Sequence, residues 1–194
     1  EGYYIADDEE LDAYVNGEKA YVSAQDGDRT TLTVGYSVPV ASGVRGQAVS
    51  FLDGSDVTVS LFADGSAQPK YTVTVPAGEK SGGKYTAVYD IPSVAAGTYT
   101  VQVSKKNHVT REYTVTVGGD VKTLNVEIRL LGDVNGDGRV NAMDCTRLFK
   151  HVNKTQQLTD PYALKCAETN GDGRVNAMDC TRLFKHVNKT QLLW

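Results

Sequence analysis

The stretch NGDGRVNAMDCTRLFKHVNKTQ, residues 135–156, decides how the chain is read, because it returns letter for letter at residues 170–191. Helix packing tolerates conservative exchange, so identity at core and surface positions alike asks for a further constraint. Each copy begins in a Gly-rich acidic loop. Asp133, Asn135, Asp137, Arg139, Asn141 and Asp144 fall at positions 1, 3, 5, 7, 9 and 12 of the first loop, with Gly138 at position 6. Glu168, Asn170, Asp172, Arg174, Asn176 and Asp179 fall at the same positions of the second, with Gly173 at position 6.

This is the spacing of an EF-hand loop, with hard oxygen donors alternating around a sharp glycine turn, and it suits Ca²⁺. Position 7 contributes only a backbone carbonyl, so the side chains of Arg139 and Arg174 are free to face water. One Ca²⁺ in each loop, two ions in all, is the expected cofactor. Two departures stand out. Position 12 is Asp rather than the usual Glu, which brings the chain closer to the ion. Position 1 of the second loop is Glu168, whose extra methylene shifts the ion, interposes water or weakens the site. The competing reading of Asn-Gly-Asp-Gly as a plain polar hairpin turn loses ground when all the spacings recur. Acidic loops repel themselves without metal, so the repeats are expected to fold with Ca²⁺.

Working outward, Cys145, Leu148 and Val152 lie at i, i+3 and i+7 and form an apolar stripe suited to face the partner repeat. Val140 and Val175 are expected to turn inward and pair. Met143 and Phe149 lie toward the flank, where they suit anchoring in a partner's pocket. Lys150 and Lys154, read as i, i+4 neighbours, make a basic strip. In the opposing reading Phe149 widens the core stripe and the lysines are merely solvated. Cys145 and Cys180 read as small buried hydrophobes and Cys166 as packing beside the second loop; three scarce cysteines do not make a disulfide framework. His151 and His186 read as surface residues and His108 as part of a turn. Leu192, Leu193 and Trp194 are expected to clasp against Leu130 and Leu131 beside the first loop.

Residues 20–130 carry a period of two. It recurs in LTVGYSV (32–38), DVTVSLF (56–62), YTVTV (71–75), KYTAVYDI (84–91), GTYTVQV (97–103), REYTVTV (111–117) and TLNVEIRL (123–130). Turn signals such as Asp64-Gly65 and Gly118-Gly119 separate these runs. The expected fold is two domains: an N-terminal all-β antiparallel sandwich and a small all-α C-terminal unit of two calcium-binding loop–helix repeats. The boundaries read as a β-rich segment over 1–50, a sandwich over 51–130 and the helical unit over 131–194. The opening Glu1-Gly2-Tyr3 reads as that of a trimmed or mature fragment. A net charge of −4 argues against nucleic acid or an anionic membrane as partner, and no apolar run reaches a membrane span. The acidic residues of the β region lie at turns without acid–base spacing, so no enzyme activity is expected. Tyr71, Tyr85, Tyr89, Tyr99 and Tyr113 offer either core packing or a sugar-binding platform.

The loops and helices over 131–194 resemble a dockerin, a tandem calcium-binding loop–helix module that docks into cohesin domains of cellulosome-type complexes. The resemblance implies an extracellular or cell-surface setting, a cohesin partner on a scaffold protein, and only indirect contact with polysaccharide. It also implies that a strand and a linker, rather than helices, precede the loops. The implied partner-binding residues are Ala142, Met143, Phe149, Lys150 and Lys154 in the first repeat, and Ala177, Met178, Phe184, Lys185 and Lys189 in the second. Near-identical repeats imply that one partner could grip either copy after a half-turn; recent duplication explains the identity without function. Residues 56–130, through GTYTVQVSKKNHVTREYTVTVGGDV (97–121), resemble the carboxypeptidase-regulatory-like sandwiches called X modules beside dockerins. That implies a supporting role. The alternative is a carbohydrate- or cell-wall-binding β unit for which the dockerin is only the anchor.

Overall fold

The computed structural model describes residues 42–194 in full and, before them, the backbone of three strands: β1 (Ala13–Val15), β2 (Glu18–Ala24) and β3 (Leu32–Gly35). The rest of the 1–50 segment, and residues 36–38 of the first β run, lie outside the described residues. The chain divides into two compact units, 1–40 and 41–194. In the first, β1, β2 and β3 form an antiparallel three-stranded sheet in sequence order.

The second unit opens with two sheets. Strands β5 (Val57–Ala63), β6 (Tyr71–Val75), β9 (Gly97–Lys105) and β10 (Arg111–Val117) make an antiparallel sheet in the order β10-β9-β5-β6. Alternation drives it: Val57, Val59 and Leu61 are buried, while Thr58 and Ser60 point outward and bond Thr74 and Thr72 across the ladder, each at 3.0 Å. The other sheet contains β4 (Gly43–Ser50), β7 (Glu79–Ser81), β8 (Lys84–Pro92), β11 (Val121–Thr123) and β12 (Val126–Glu127). Inward residues of both sheets share one buried cluster, including Val44, Ala87, Tyr89 and Ile91 from one and Val59, Leu61, Val101 and Val117 from the other.

This second sheet corrects the all-antiparallel expectation, because β11 and β12 run parallel to β4. The chain leaves β10 in one sheet through Gly118-Gly119 (Gly119 φ +104°) and arrives in the other, so it enters β11 by a crossover and not a hairpin. The run 123–130 is also not one strand. It breaks where Leu124 and Asn125 pass over β4 at Gly46, where a β-carbon would collide with the Leu124 carbonyl. The Asn125 carboxamide takes the Gln47 N–H at 3.0 Å in place of a ladder bond. Of the candidate tyrosines, Tyr89 and Tyr99 are buried, and Tyr71 and Tyr113 are half-buried against the same core, whereas Tyr85 is half-buried outside that cluster with Lys80 and Lys105 over its ring.

Three helices follow: α1 (Ala142–Val152), α2 (Pro161–Ala167) and α3 (Ala177–Val187). Helix α2 corrects the expectation that no helix precedes either loop, since its C-cap is Glu168, the first ligand position of the second loop. Its sequence signal is short: Asp160 caps the Tyr162 N–H, Pro161 occupies the first turn, and Tyr162, Ala163, Cys166 and Ala167 are buried. The junction to the β sheets is tightly bonded. The Tyr162 hydroxyl donates to the Val109 carbonyl at 2.6 Å and accepts from the Arg129 N–H at 3.0 Å, and Arg111 stacks over its ring at 4.5 Å.

At this junction His108 Nε2 accepts the Phe51 N–H at 3.0 Å, while Nδ1 lies 2.8 Å from the Lys106 carbonyl, which assigns the Nδ1–H tautomer. Burial pushes its pKa down from 6.5 to about 4; the Lys106 carbonyl opposes this, the Lys105 charge adds to it, and Asp53 opposes it weakly. A depressed folded-state pKa means that the unfolded chain binds the proton more readily. The stability contributed by neutral His108 is therefore full above pH 6.5 and is lost as pH falls toward about 4. The difference in melting temperature between the wild type and His108→Gln should shift against the wild type as pH falls across that window; a difference that does not change with pH would remove His108 as a contributor.

Candidate functional site

Each loop is wound around a buried carboxylate at position 12, and the first also around one at position 1. Asp133 is fully buried; its Oδ1 accepts the N–H groups of Gly136 and Asp137 at 2.7 and 3.2 Å, and its Oδ2 that of Gly138 at 2.9 Å. Asp144, also fully buried, accepts the N–H groups of Val134, Asn135 and Asn141 at 2.9, 3.0 and 2.9 Å. Asn141 in turn caps α1 by accepting the Met143 N–H at 2.8 Å, so loop positions 9 and 12 form the helix's capping box. The positive φ values of Gly136 and Gly138, +77° and +82°, let the loop reverse within this cage.

The second loop repeats the plan with one difference. Buried Asp179 accepts from Thr169, Asn170 and Asn176 at 2.7, 3.1 and 2.9 Å. Glu168 reaches the Gly171 and Asp172 amides at 2.6 and 3.1 Å, but it is half-exposed where Asp133 is fully buried.

The donors fit a hard cation. Burial pushes Asp133 up to about 6, offset in part by the Gly138 and Gly136 amides and reinforced by the charges of Asp144 and Asp137. Burial also raises Asp144. Among the described residues, no ion pair reaches Asp133, Asp144 or Asp179. A cation would meet the oxygens of Asp133, Asn135, Asp137, the Arg139 carbonyl, Asn141 and Asp144, or their equivalents in the second loop. It would have to replace the Asn135 Nδ2 bond to Asp137 Oδ2 at 2.9 Å, which turns Asp137 onto its neighbour. Among the described residues, no group of three or more His, Cys, Asp or Glu side chains is already drawn together for a metal.

From these loops the helices project a common face. Leu148 and Leu183 are fully buried, with Val140, Val152 and Val175 packed beside them. Met143 and Phe149 are 65% and 61% exposed, and Met178 and Phe184 are 64% and 61% exposed. Ala142, Lys150, Ala177 and Lys185 are exposed on the same helices. Between α1 and α3 runs an open groove of about 420 Å³ lined by three repeat-equivalent pairs: Cys145 and Cys180, Thr146 and Thr181, Phe149 and Phe184.

Some expectations need correction here. Lys154 and Lys189 are not on the helices: the helices end at Val152 and Val187, and both lysines adopt φ +59° in the terminating turn. They therefore do not form an i, i+4 strip with Lys150 and Lys185. Cys145 and Cys180 are half-buried at the groove, and only Cys166 is fully buried. His151 and His186 are half-buried, and their Nδ1 atoms accept the Leu158 and Leu193 N–H groups at 3.0 and 3.1 Å. The repeat thus extends past the identical stretch into the chain that follows each helix. Leu193 packs into the helix core beside Gly132, and Trp194 lies 4.6 Å from His186, ring to ring.

Two loop–helix repeats, each with an oxygen-rich acidic loop, expose equivalent apolar side chains from α1 and α3. Residues 131–188 match the family model of the dockerin type I domain. The chain is also similar to two solved structures from Acetivibrio cellulolyticus. One is a C-terminal interface mutant of a type II cohesin–X–dockerin complex, at 22% identity over 75% of this chain and 94% of that one, TM-score 0.32. The other is an N-terminal interface mutant of such a complex, at 23% identity over 76% and 93%, TM-score 0.28. No curated protein matches the chain.

Removing Leu192–Trp194 exposes the core beside Gly132 and deletes the bond to His186. This truncation is expected to destabilise the helical unit by about 1–3 kcal/mol, the scale of one half-buried Leu and its neighbour, read as a lower midpoint in thermal or denaturant unfolding followed by helical circular dichroism.

Proposed function

We propose that residues 131–194 dock into a cohesin domain of a scaffold protein in a Ca²⁺-dependent manner, incorporating the parent protein into an extracellular complex of the cellulosome type. The observation that carries this reading is the matched exposure of Met143, Phe149, Met178 and Phe184. Four large apolar side chains held in water on two adjacent helices mark a protein interface rather than a folding core. The dockerin type I match over 131–188 supports the identity of the partner. Exposed Lys150 and Lys185 beside these anchors favour an acidic rim on the partner. Ala142-Met143 and Ala177-Met178 favour an apolar centre.

One Ca²⁺ per loop supplies the countercharge that the buried carboxylates lack. Because loop positions 9 and 12 also cap the helices, the ions and the docking face stand or fall together. The two exposed faces are equivalent, so a cohesin binds either orientation. The β unit, in the manner of an X module, acts as structural support, and four of its five candidate tyrosines, all but Tyr85, pack on its core rather than forming a sugar platform. The docking unit itself is non-catalytic, and polysaccharide is met only through the assembled complex.

Calorimetric titration against a panel of type I and type II cohesins tests this directly. Binding to at least one member in Ca²⁺, lost in EDTA, is expected; no binding to any member would overturn the reading. Replacing Phe149 and Lys150 by Ala should weaken binding only a few-fold, as should replacing Phe184 and Lys185, whereas all four replacements should abolish it. Complete loss from one repeat alone would refute the equivalence of the two orientations while leaving docking intact.

A further inference from the structure

We infer that the two loops release calcium unequally: the β unit locks the first loop shut, and the second loop is the labile, calcium-responsive half of the docking face. This inference rests on the calcium reading above and goes beyond it, because the two loops differ only at their first two positions, Asp133-Val134 against Glu168-Thr169.

Their surroundings differ far more than their sequences. The ring of Phe51, from the turn after β4, lies so close to Gly138 that a β-carbon there would collide with it. Phe51 is 2% exposed and is pinned by its N–H bond to His108 Nε2 at 3.0 Å. The Arg129 guanidinium covers Gly136, with Cζ 2.8 Å from where a β-carbon would stand. Its charge is met by Asp160 at 3.0 Å, so it walls the loop without adding a free positive charge. In the second loop, a β-carbon at Gly171 or Gly173 would meet nothing within 4 Å.

An ion held by ligands on alternate residues of one short loop leaves only when that loop opens. Opening the first loop moves Gly136–Gly138 against Phe51 and Arg129, and so requires part of the buried junction to separate. At Gly171 and Gly173 the second loop has no such wall to move against. Segments that open against few packed contacts do so at lower free energy and more often. The half-exposed Glu168, in place of the fully buried Asp133, acts in the same direction. As calcium falls, the second loop empties first, and the α3 half of the docking face is lost while the α1 half persists.

The test is calcium release from the full chain after rapid mixing with excess chelator, followed by a calcium-sensitive dye. The wild type should release its two ions in two phases at least ten-fold apart. Replacing Glu168 and Asp172 by Ala should remove the fast phase and keep the slow one. Phe51→Leu, which keeps apolar volume but withdraws the ring, should accelerate the slow phase several-fold and leave the fast phase unchanged. A single phase in the wild type overturns the inference without any variant, as does survival of the fast phase in the second-loop variant. So does a slow phase indifferent to Phe51→Leu. Each of these outcomes leaves calcium-dependent docking standing, whereas failure of the wild type to bind calcium at all overturns both.

Discussion

The helical unit depends on burying carboxylates inside loops made of their own neighbours. Asp144 and Asp179 each take three backbone N–H groups, two from the start of the loop and one from the helix cap. One side chain therefore closes the loop and starts the helix. Hydrogen bonds to a charged group contribute about 1.5–3 kcal/mol each, while taking a carboxylate out of water costs several kcal/mol. The two are of similar size, so the fold is poised, and a second buried carboxylate at Asp133 adds repulsion. A cation bound between these carboxylates would offset that repulsion.

The same constraint sets the surface. With the helix start fixed by the capping box at Asn141, the helical turn places Leu148 inward and leaves Met143 and Phe149 outward. The second repeat, capped in the same way at Asn176, does the same with Leu183, Met178 and Phe184. The exposure of these anchors is thus a consequence of loop geometry. A change at loop position 9 or 12 would disturb this exposed face as surely as a change on the face itself.

Features written in nearby residues were legible in the sequence. Loop spacing, the cores of α1 and α3, and strands such as β5 and β9 all depend on neighbours a few positions away. What escaped was set by distant contacts. Strand β4 carries Gly46 at its centre because Leu124 crosses it, and the break between β11 and β12 has the same cause. The parallel pairing follows from a crossover between sheets, which no local period records. Helix α2 has seven residues, too few for a periodic pattern to declare itself, although Asp160-Pro161 marked its start. Lys154 was misplaced because helix termination depends on a left-handed residue that is not glycine.

The surroundings of a repeat are the part of its chemistry that its letters do not carry. The groove between α1 and α3 has the symmetry of the duplication, since equivalent side chains line it from both sides. The β unit does not share that symmetry, because a single Phe51 and a single Arg129 rest on one loop of the pair. Were a partner to grip α1 and α3 in exchanged positions, as proposed above, the β unit would lie on the partner's other side. The face alone is indifferent to this exchange; any contact between the partner and the β unit is not. Equal grip in both orientations thus requires the β unit to stay clear of the partner, and its fixed attachment beside the first loop makes that a property of the junction at Tyr162 and Arg129 rather than of the helices.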